Sequence, residues 1–300
     1  MGAGRRTLIA ALLAIAVLFP GRVARGDATS WVDRAQSRPL SMPYDIAADR
    51  NGVLFLLESA GRSVSIYSPK GEFLREIQGR GTWKDPSAIA VGPEGTLYIA
   101  DGSAGRILEL DLAGKVRREF VAGDGARLTG VAVYGGAVFG VDNRNHRLLA
   151  FRKHGAPPEK WGKRGDGPGD FQSPFRIAVD PSGRLFVTDV LNARVQWFSA
   201  FGQHLGTLKR FGAGEGKLFR PTGIAVDAMG RIWVSDSYTG LVQRFDAAGS
   251  ASGVLTTGGR PHVFGDPIAL AITPGSIWVA DQRGNRLGRF PEEQDGKGRR

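Results

Sequence analysis

The side chains that could do chemistry here are carboxylates, arginines and a few histidines, because the chain holds 4 His and no Cys. Without a thiol, neither a cysteine nucleophile nor a thiolate metal site can form. His146, His154, His204 and His262 are scattered, and no Ser/His/Asp arrangement can be read from their spacing. Gly165-Asp-Gly-Pro-Gly169 has the glycines of a phosphate loop but lacks the Lys-Ser/Thr ending and opens no helix. The reading therefore expects no catalytic set, no metal site, no cofactor and no enzyme activity.

The carboxylates that recur do so with an arginine five residues on. The pairs are Asp101 with Arg106, Asp142 with Arg147, Asp189 with Arg194, and Asp281 with Arg286. That spacing suits a charge-assisted contact within one loop. Recurrence favours a scaffold role over a ring of anion-binding arginines. Two copies of the same stretch lack the pair: Glu58 is followed by Ser63, and Asp236 by Leu241.

The stretches that must position these residues repeat six times. Each holds a short apolar run ending in a turn, a second run ending at the acidic residue, a polar loop, and a third run. Glu58, Asp101, Asp142, Asp189, Asp236 and Asp281 mark the copies, roughly 41 to 47 residues apart. This is strand, turn, strand, loop, strand, and self-similarity at such a period indicates a repeat architecture. Most copies open on Pro: Pro43, Pro86, Pro174, Pro221 and Pro267, with Leu128 in the third.

The phrases Pro221-Thr-Gly-Ile-Ala-Val-Asp227, Ile232-Trp-Val-Ser-Asp236 and Asp189-Val-Leu-Asn-Ala-Arg-Val195 resemble those of the NHL-repeat family. So do the glycine-rich spacers Trp161-Gly-Lys-Arg-Gly-Asp-Gly-Pro-Gly-Asp-Phe171 and Phe211-Gly-Ala-Gly-Glu-Gly-Lys-Leu-Phe219. The resemblance covers residues 43–290. It implies an all-β fold, a six-bladed β-propeller of four-stranded blades, with the repeat's first strand lining the axis. It says less about function, because function belongs to sites grafted on folds.

Two departures from the repeat stand out on that fold. In the opening phrase the third position is Asp45, Ala88, Gly130, Arg176, Gly223 or Ala269. The two charged residues fall in copies 1 and 4, which face each other across a six-bladed ring. Each follows an aromatic, Tyr44 or Phe175. Tyr44, Asp45, Phe175 and Arg176 are thus expected at the channel mouth, on opposite sides, where complementary charge could hold a polar or zwitterionic ligand.

The termini suggest export and closure. Arg5 and Arg6 precede an apolar run from Leu8 to Phe19, and Ala24-Arg-Gly26 offers small residues for cleavage. Residues 1–26 are read as a signal peptide, so the protein is expected to be periplasmic or secreted, with no stable membrane span after cleavage; the alternative is an uncleaved membrane anchor. The sixth copy lacks a fourth strand. The segment 27–42 is expected to supply it, so that N- and C-terminal segments close the ring and leave no open sheet edge. Residues 291–300 read as a charged flexible tail.

Removing Arg5, Arg6, Arg22 and Arg25 lowers the net charge from +11 to +7. That permits anionic partners. The expected function is a monomeric binding or scaffold module for a protein, peptide or anionic envelope glycan, acting through the face that carries the polar loops and spacers. Tyr238 and the cluster Lys163, Arg164, Lys209 and Arg210 are possible contacts there. The alternatives are an enzyme, lyase or lactonase-like, with an unusual axial site, and an RNA-binding propeller. Export argues against nucleic acid as the partner.

Overall fold

The computed structural model describes residues 30–32, 39–79, 81–123 and 125–292. The expected signal peptide lies outside the described residues, as do most of the segments 27–42 and 291–300. Among the described residues no helix is long and apolar enough to cross a membrane.

Every copy folds as a four-stranded antiparallel sheet, and six such sheets form the propeller. Blade 4 shows the plan: Pro174–Val179, Leu185–Asp189, Arg194–Phe198 and His204–Lys209, paired in sequence order. The turn between its first two strands uses Gly183 at φ +86°, a backbone region that glycine enters without strain. Asp180 caps that turn by accepting the N–H groups of Ser182 and Arg184, both at 2.9 Å.

Burial explains the order of the strands. The second strands are buried throughout, whereas the fourth strands alternate or face solvent. The apolar side chains form clusters that each join two neighbouring blades. One joins Ala88, Ile107 and Phe120 of blade 2 to Leu128, Leu149 and Phe151 of blade 3. Another joins Phe186 and Val195 of blade 4 to Ile224 and Phe245 of blade 5. Each blade is thus stabilised by the next, as expected for sheets packed face to face.

The ring closes through its termini. Blade 6 consists of Pro267–Thr273, Ser276–Asp281 and Arg286–Pro291, and its fourth strand is Ser30–Val32. Trp31 pairs with Gly288, whose missing side chain leaves room for the indole. The Arg286 guanidinium lies 3.7 Å from the Trp31 ring centre, and Phe264 and Phe290 approach its edge.

Two details differ from the sequence reading. Trp161, taken as the start of a spacer, ends the short fourth strand of blade 3, Glu159–Trp161, paired with Leu148. The spacer after blade 5 carries a two-residue hairpin, Thr256–Thr257 with Arg260–Pro261, that no periodicity announced.

Trp31→Ala removes the aromatic anchor of the closing strand. The expected loss is about 2 kcal/mol, below the full cost of a buried indole because Trp31 is half-buried. Thermal denaturation should show a Tm lower by roughly 4–8 °C; an unchanged melt would mean the strand closes nothing.

Candidate functional site

Near the loop-bearing end of the axis, the pairing of first and second strands slips by a bulge in all six blades, for example between Pro43 and Asp45 and between Pro174 and Ile177. A bulge re-aims the side chains beside it. The third position of the opening phrase falls inside that bulge in blades 4 and 5 and borders it in the other four. In blade 5 it is Gly223, where a Cβ would come within 2.6 Å of Ser235 Oγ and 2.9 Å of Ala269 Cα. The preference for Gly and Ala here is a clearance between neighbouring blades.

Hydroxyls tie neighbouring blades together at this level, two of them on first strands and one, Thr188, on the second strand of blade 4. Ser87 donates to Leu128 O at 2.7 Å, Thr188 to Thr222 O at 3.0 Å, and Thr222 to Pro267 O at 3.1 Å. Each bond crosses from one blade to the next. Blades 1 and 4 carry Tyr44 and Phe175 where blades 2, 3 and 5 carry a hydroxyl and blade 6 has Ile268, and they alone replace the small third residue, with Asp45 and Arg176.

These four substitutions form one device. Asp45 and Arg176 come from opposite blades, but they do not stand apart on an open mouth. The Arg176 side chain crosses the axis, and its Nε lies 3.5 Å from Asp45 Oδ1. That is an ion-pair distance without a hydrogen bond, and Nε has no hydrogen-bond partner. The rest of the guanidinium donates to Tyr44 O at 2.5 Å, to Ser87 O at 2.8 Å and to Thr129 O. Its carbon lies 4.5 Å from the Phe175 ring centre and 5.0 Å from that of Tyr44, within cation–π range. One side chain therefore ties blades 1, 2, 3 and 4.

Both charges are buried. Burial pushes the Asp45 carboxyl up from its ordinary value, while the Arg176 charge and the N–H groups of Ile89 and Ile46 pull it down. Behind the pair runs an axial channel of about 200 Å³, lined by the apolar first strands and reaching Ala48, Val91, Val133, Val179 and Val226 at its far end. Among the described residues no group of three or more His, Asp or Glu is placed to hold a metal ion.

The recurrent acids clamp the spacers. Asp189 accepts Gln172 N–H at 2.6 Å and Arg194 Nε at 2.8 Å, and Arg194 donates onward to the carbonyls of Asp166, Gly167 and Asp170. Asp101 with Arg106, Asp142 with Arg147 and Asp281 with Arg286 also pair, each at 3.0–3.1 Å. In blade 5, where Leu241 replaces the arginine, Asp236 instead accepts four backbone N–H groups, from Phe219, Arg220, Tyr238 and Thr239.

That exchange builds a feature the sequence reading caught only in part. Tyr238 stacks on Phe219 with ring centres 4.1 Å apart, and Phe219 lies 5.4 Å from Phe211. Tyr238 and Phe211 remain 61% and 68% exposed. Lys209 and Arg210 enter the same spacer, and Lys163 and Arg164 lie exposed in the preceding one. Phe219 went unnoticed because a lone Phe at a strand entrance reads as core; the Leu241 exception was its available signal.

The architecture defines the class as a six-bladed β-propeller. Residues 220–245, within blade 5, match the NHL repeat, so the resemblance to NHL repeats is borne out. No curated protein matches the chain. Among solved structures it is similar to a streptogramin B lyase at 14% identity and TM-score 0.65, covering 88% of this chain and 97% of that one. A catalytically inactive virginiamycin B lyase from Staphylococcus aureus with quinupristin is similar at 12% identity and TM-score 0.66, covering 89% and 100%. A gluconolactonase from Xanthomonas campestris is similar at 16% identity and TM-score 0.65, covering 84% and 86%. These likenesses share the fold. They overturn the expectation that the chain is not an enzyme: propellers of this shape carry lyase and lactonase activities, and the scattered histidines that argued otherwise describe one chemistry only.

Removing the guanidinium tests the axial device. Arg176→Met leaves a buried carboxylate unpaired and should cost about 3–5 kcal/mol at neutral pH. The double variant Asp45→Asn with Arg176→Met should recover most of it. Without Arg176 the Asp45 carboxyl rises further and takes up a proton on folding. The deficit is then greatest at neutral pH and shrinks as pH falls through the folded-state value. Denaturant titrations across pH would show this, and a pH-independent deficit would contradict it.

Proposed function

We propose that this propeller is an exported binding module that engages a protein, peptide or envelope glycan through its loop face. One observation carries the reading: three aromatic rings stand in a row on that face, two of them largely exposed, on backbone held by a buried carboxylate. Exposed aromatics fixed on a rigid scaffold supply contact area at small entropic cost. Arg176 crosses the loop end of the axis, so recognition on this face falls to the spacers and polar loops around it.

A second reading is an enzyme acting at the axis, lyase or lactonase-like. Its support is the shared fold with a streptogramin B lyase and a gluconolactonase, together with the buried Asp45–Arg176 pair at the end of an apolar channel. In that reading Tyr44 and Phe175 hold the guanidinium and Asp45 is the titratable group.

A photo-reactive residue placed at Tyr238 should cross-link to an envelope component in the exported fraction. The same probe at Met229, exposed on a turn between first and second strands and so on the opposite face, should not. Equal labelling at both positions would remove the loop-face reading. Turnover of a lactone or streptogramin panel that is abolished by Asp45→Asn, with Tyr238→Ala unchanged, would establish the second.

A further inference from the structure

We infer that the aromatic row of blade 5 is a binding platform for an acidic polysaccharide. This rests on the loop-face reading and names its ligand class.

The site is built rather than incidental. Its spacer is shaped by Gly212, Gly214 and Gly216, all at positive φ, with Gly214 at +116°. Gln243 secures the spacer at both ends of its side chain, accepting Gly216 N–H at 2.5 Å and donating to Lys217 O at 2.6 Å. Asp236 fixes the backbone of Phe219 and Tyr238 together. In the blades that keep the arginine, the carboxylate also accepts the guanidinium; here, with Leu241, Asp236 accepts four backbone N–H groups, two from the spacer and two from the loop. The rings are thus presented on a frame that does not need ligand to order it.

The charge around the rings is complementary to an anion. Lys209, Arg210, Lys217 and Arg220 border them in the spacer and are exposed; Glu215 is the one acid of that spacer, and Asp266 of the next spacer interacts with Arg220. Lys163 and Arg164 share their own spacer with Asp166 and Asp170, so the cationic field centres on blade 5. Apolar faces of sugar rings pack on aromatic side chains, and carboxylates along the polymer meet the surrounding ammonium and guanidinium groups. A row of rings suits a repeating polymer more than a single small ligand.

The ring spacing leaves no room for a base inserted between two rings. A base inserted between two rings needs them about 7 Å apart, twice an aromatic contact of about 3.5 Å. Phe219 and Tyr238 are in contact at 4.1 Å, and Phe211 and Phe219 at 5.4 Å, so neither gap admits a base. Saccharides use the outer faces and edges of the row; a base can also stack on an outer face, which makes polyuridylate the competing ligand in the test.

The test is affinity electrophoresis of the full chain in gels containing polygalacturonate, dextran or polyuridylate at stepped salt. Polygalacturonate should retard the protein, dextran should not, and polyuridylate should bind more weakly at equal salt. Phe211→Ala and Tyr238→Ala should each weaken polygalacturonate binding about tenfold without changing Tm. Lys217→Glu with Arg220→Glu should weaken binding further and flatten its salt dependence. Retardation unchanged in the Phe211→Ala, Tyr238→Ala double variant would overturn the proposal, as would tighter binding of polyuridylate or none of polygalacturonate. Cross-linking at Tyr238 to a protein, with no polygalacturonate binding, would overturn the ligand class and leave the loop-face reading standing. Loss of both would end both.

Discussion

Six first strands converge on one axis, and the space between neighbouring backbones at their loop end is the constraint on which the molecule depends. A Cβ at Gly223 would already press on Ala269 and Ser235. That crowding admits Gly and Ala in four blades and forces any larger side chain to leave over the axis. Arg176 takes that exit. Once there, a cation removed from water needs its donors satisfied, and it finds the carbonyls of three blades, two ring faces and Asp45. The same crowding supplies the acceptors, because each bulge leaves first-strand carbonyls out of the sheet ladder. An apolar channel and a charged crossing are two results of one packing rule.

Much of this was legible in the sequence for a physical reason. A repeat shows the same residue six times in the same environment, so its exceptions are visible against five controls. Asp45 and Arg176 stood out in that way, and so did their aromatic neighbours. What could not be read was reach. An arginine is long enough to span the axis, so residues on opposite blades meet instead of facing each other across water. The sequence pattern specifies which blade a residue belongs to and leaves open where its far end comes to rest. The Phe211–Phe219–Tyr238 row was hidden for a related reason: its members lie in different segments, and only the fold brings them into line.

Blade 5 also shows how a scaffold becomes specific. The repeat's acid ordinarily divides its oxygens between a spacer and an arginine. When the arginine is replaced by Leu241, the acid is not left idle; it accepts the amides of Tyr238 and Thr239 and holds the loop that carries Tyr238. A structural position is thereby converted into support for a surface feature, with no change to the sheet beneath it. The likeness to lyase and lactonase propellers fits this pattern, since one ring can host unrelated sites on its loops and axis.

The closing strand has a consequence for how the molecule comes into being. Trp31 meets Gly288 across nearly the whole length of the chain, so the contact that completes the ring is the most remote in sequence. Contacts of that separation carry the largest closure entropy and form late. A partly emerged chain would be an open arc whose last sheet edge has no partner. Ser30–Val32 must therefore wait, unpaired, until the third strand of blade 6 arrives, and presence of the last blade becomes a condition of the ring's stability. A propeller fastened in this way checks for its sixth blade before it locks.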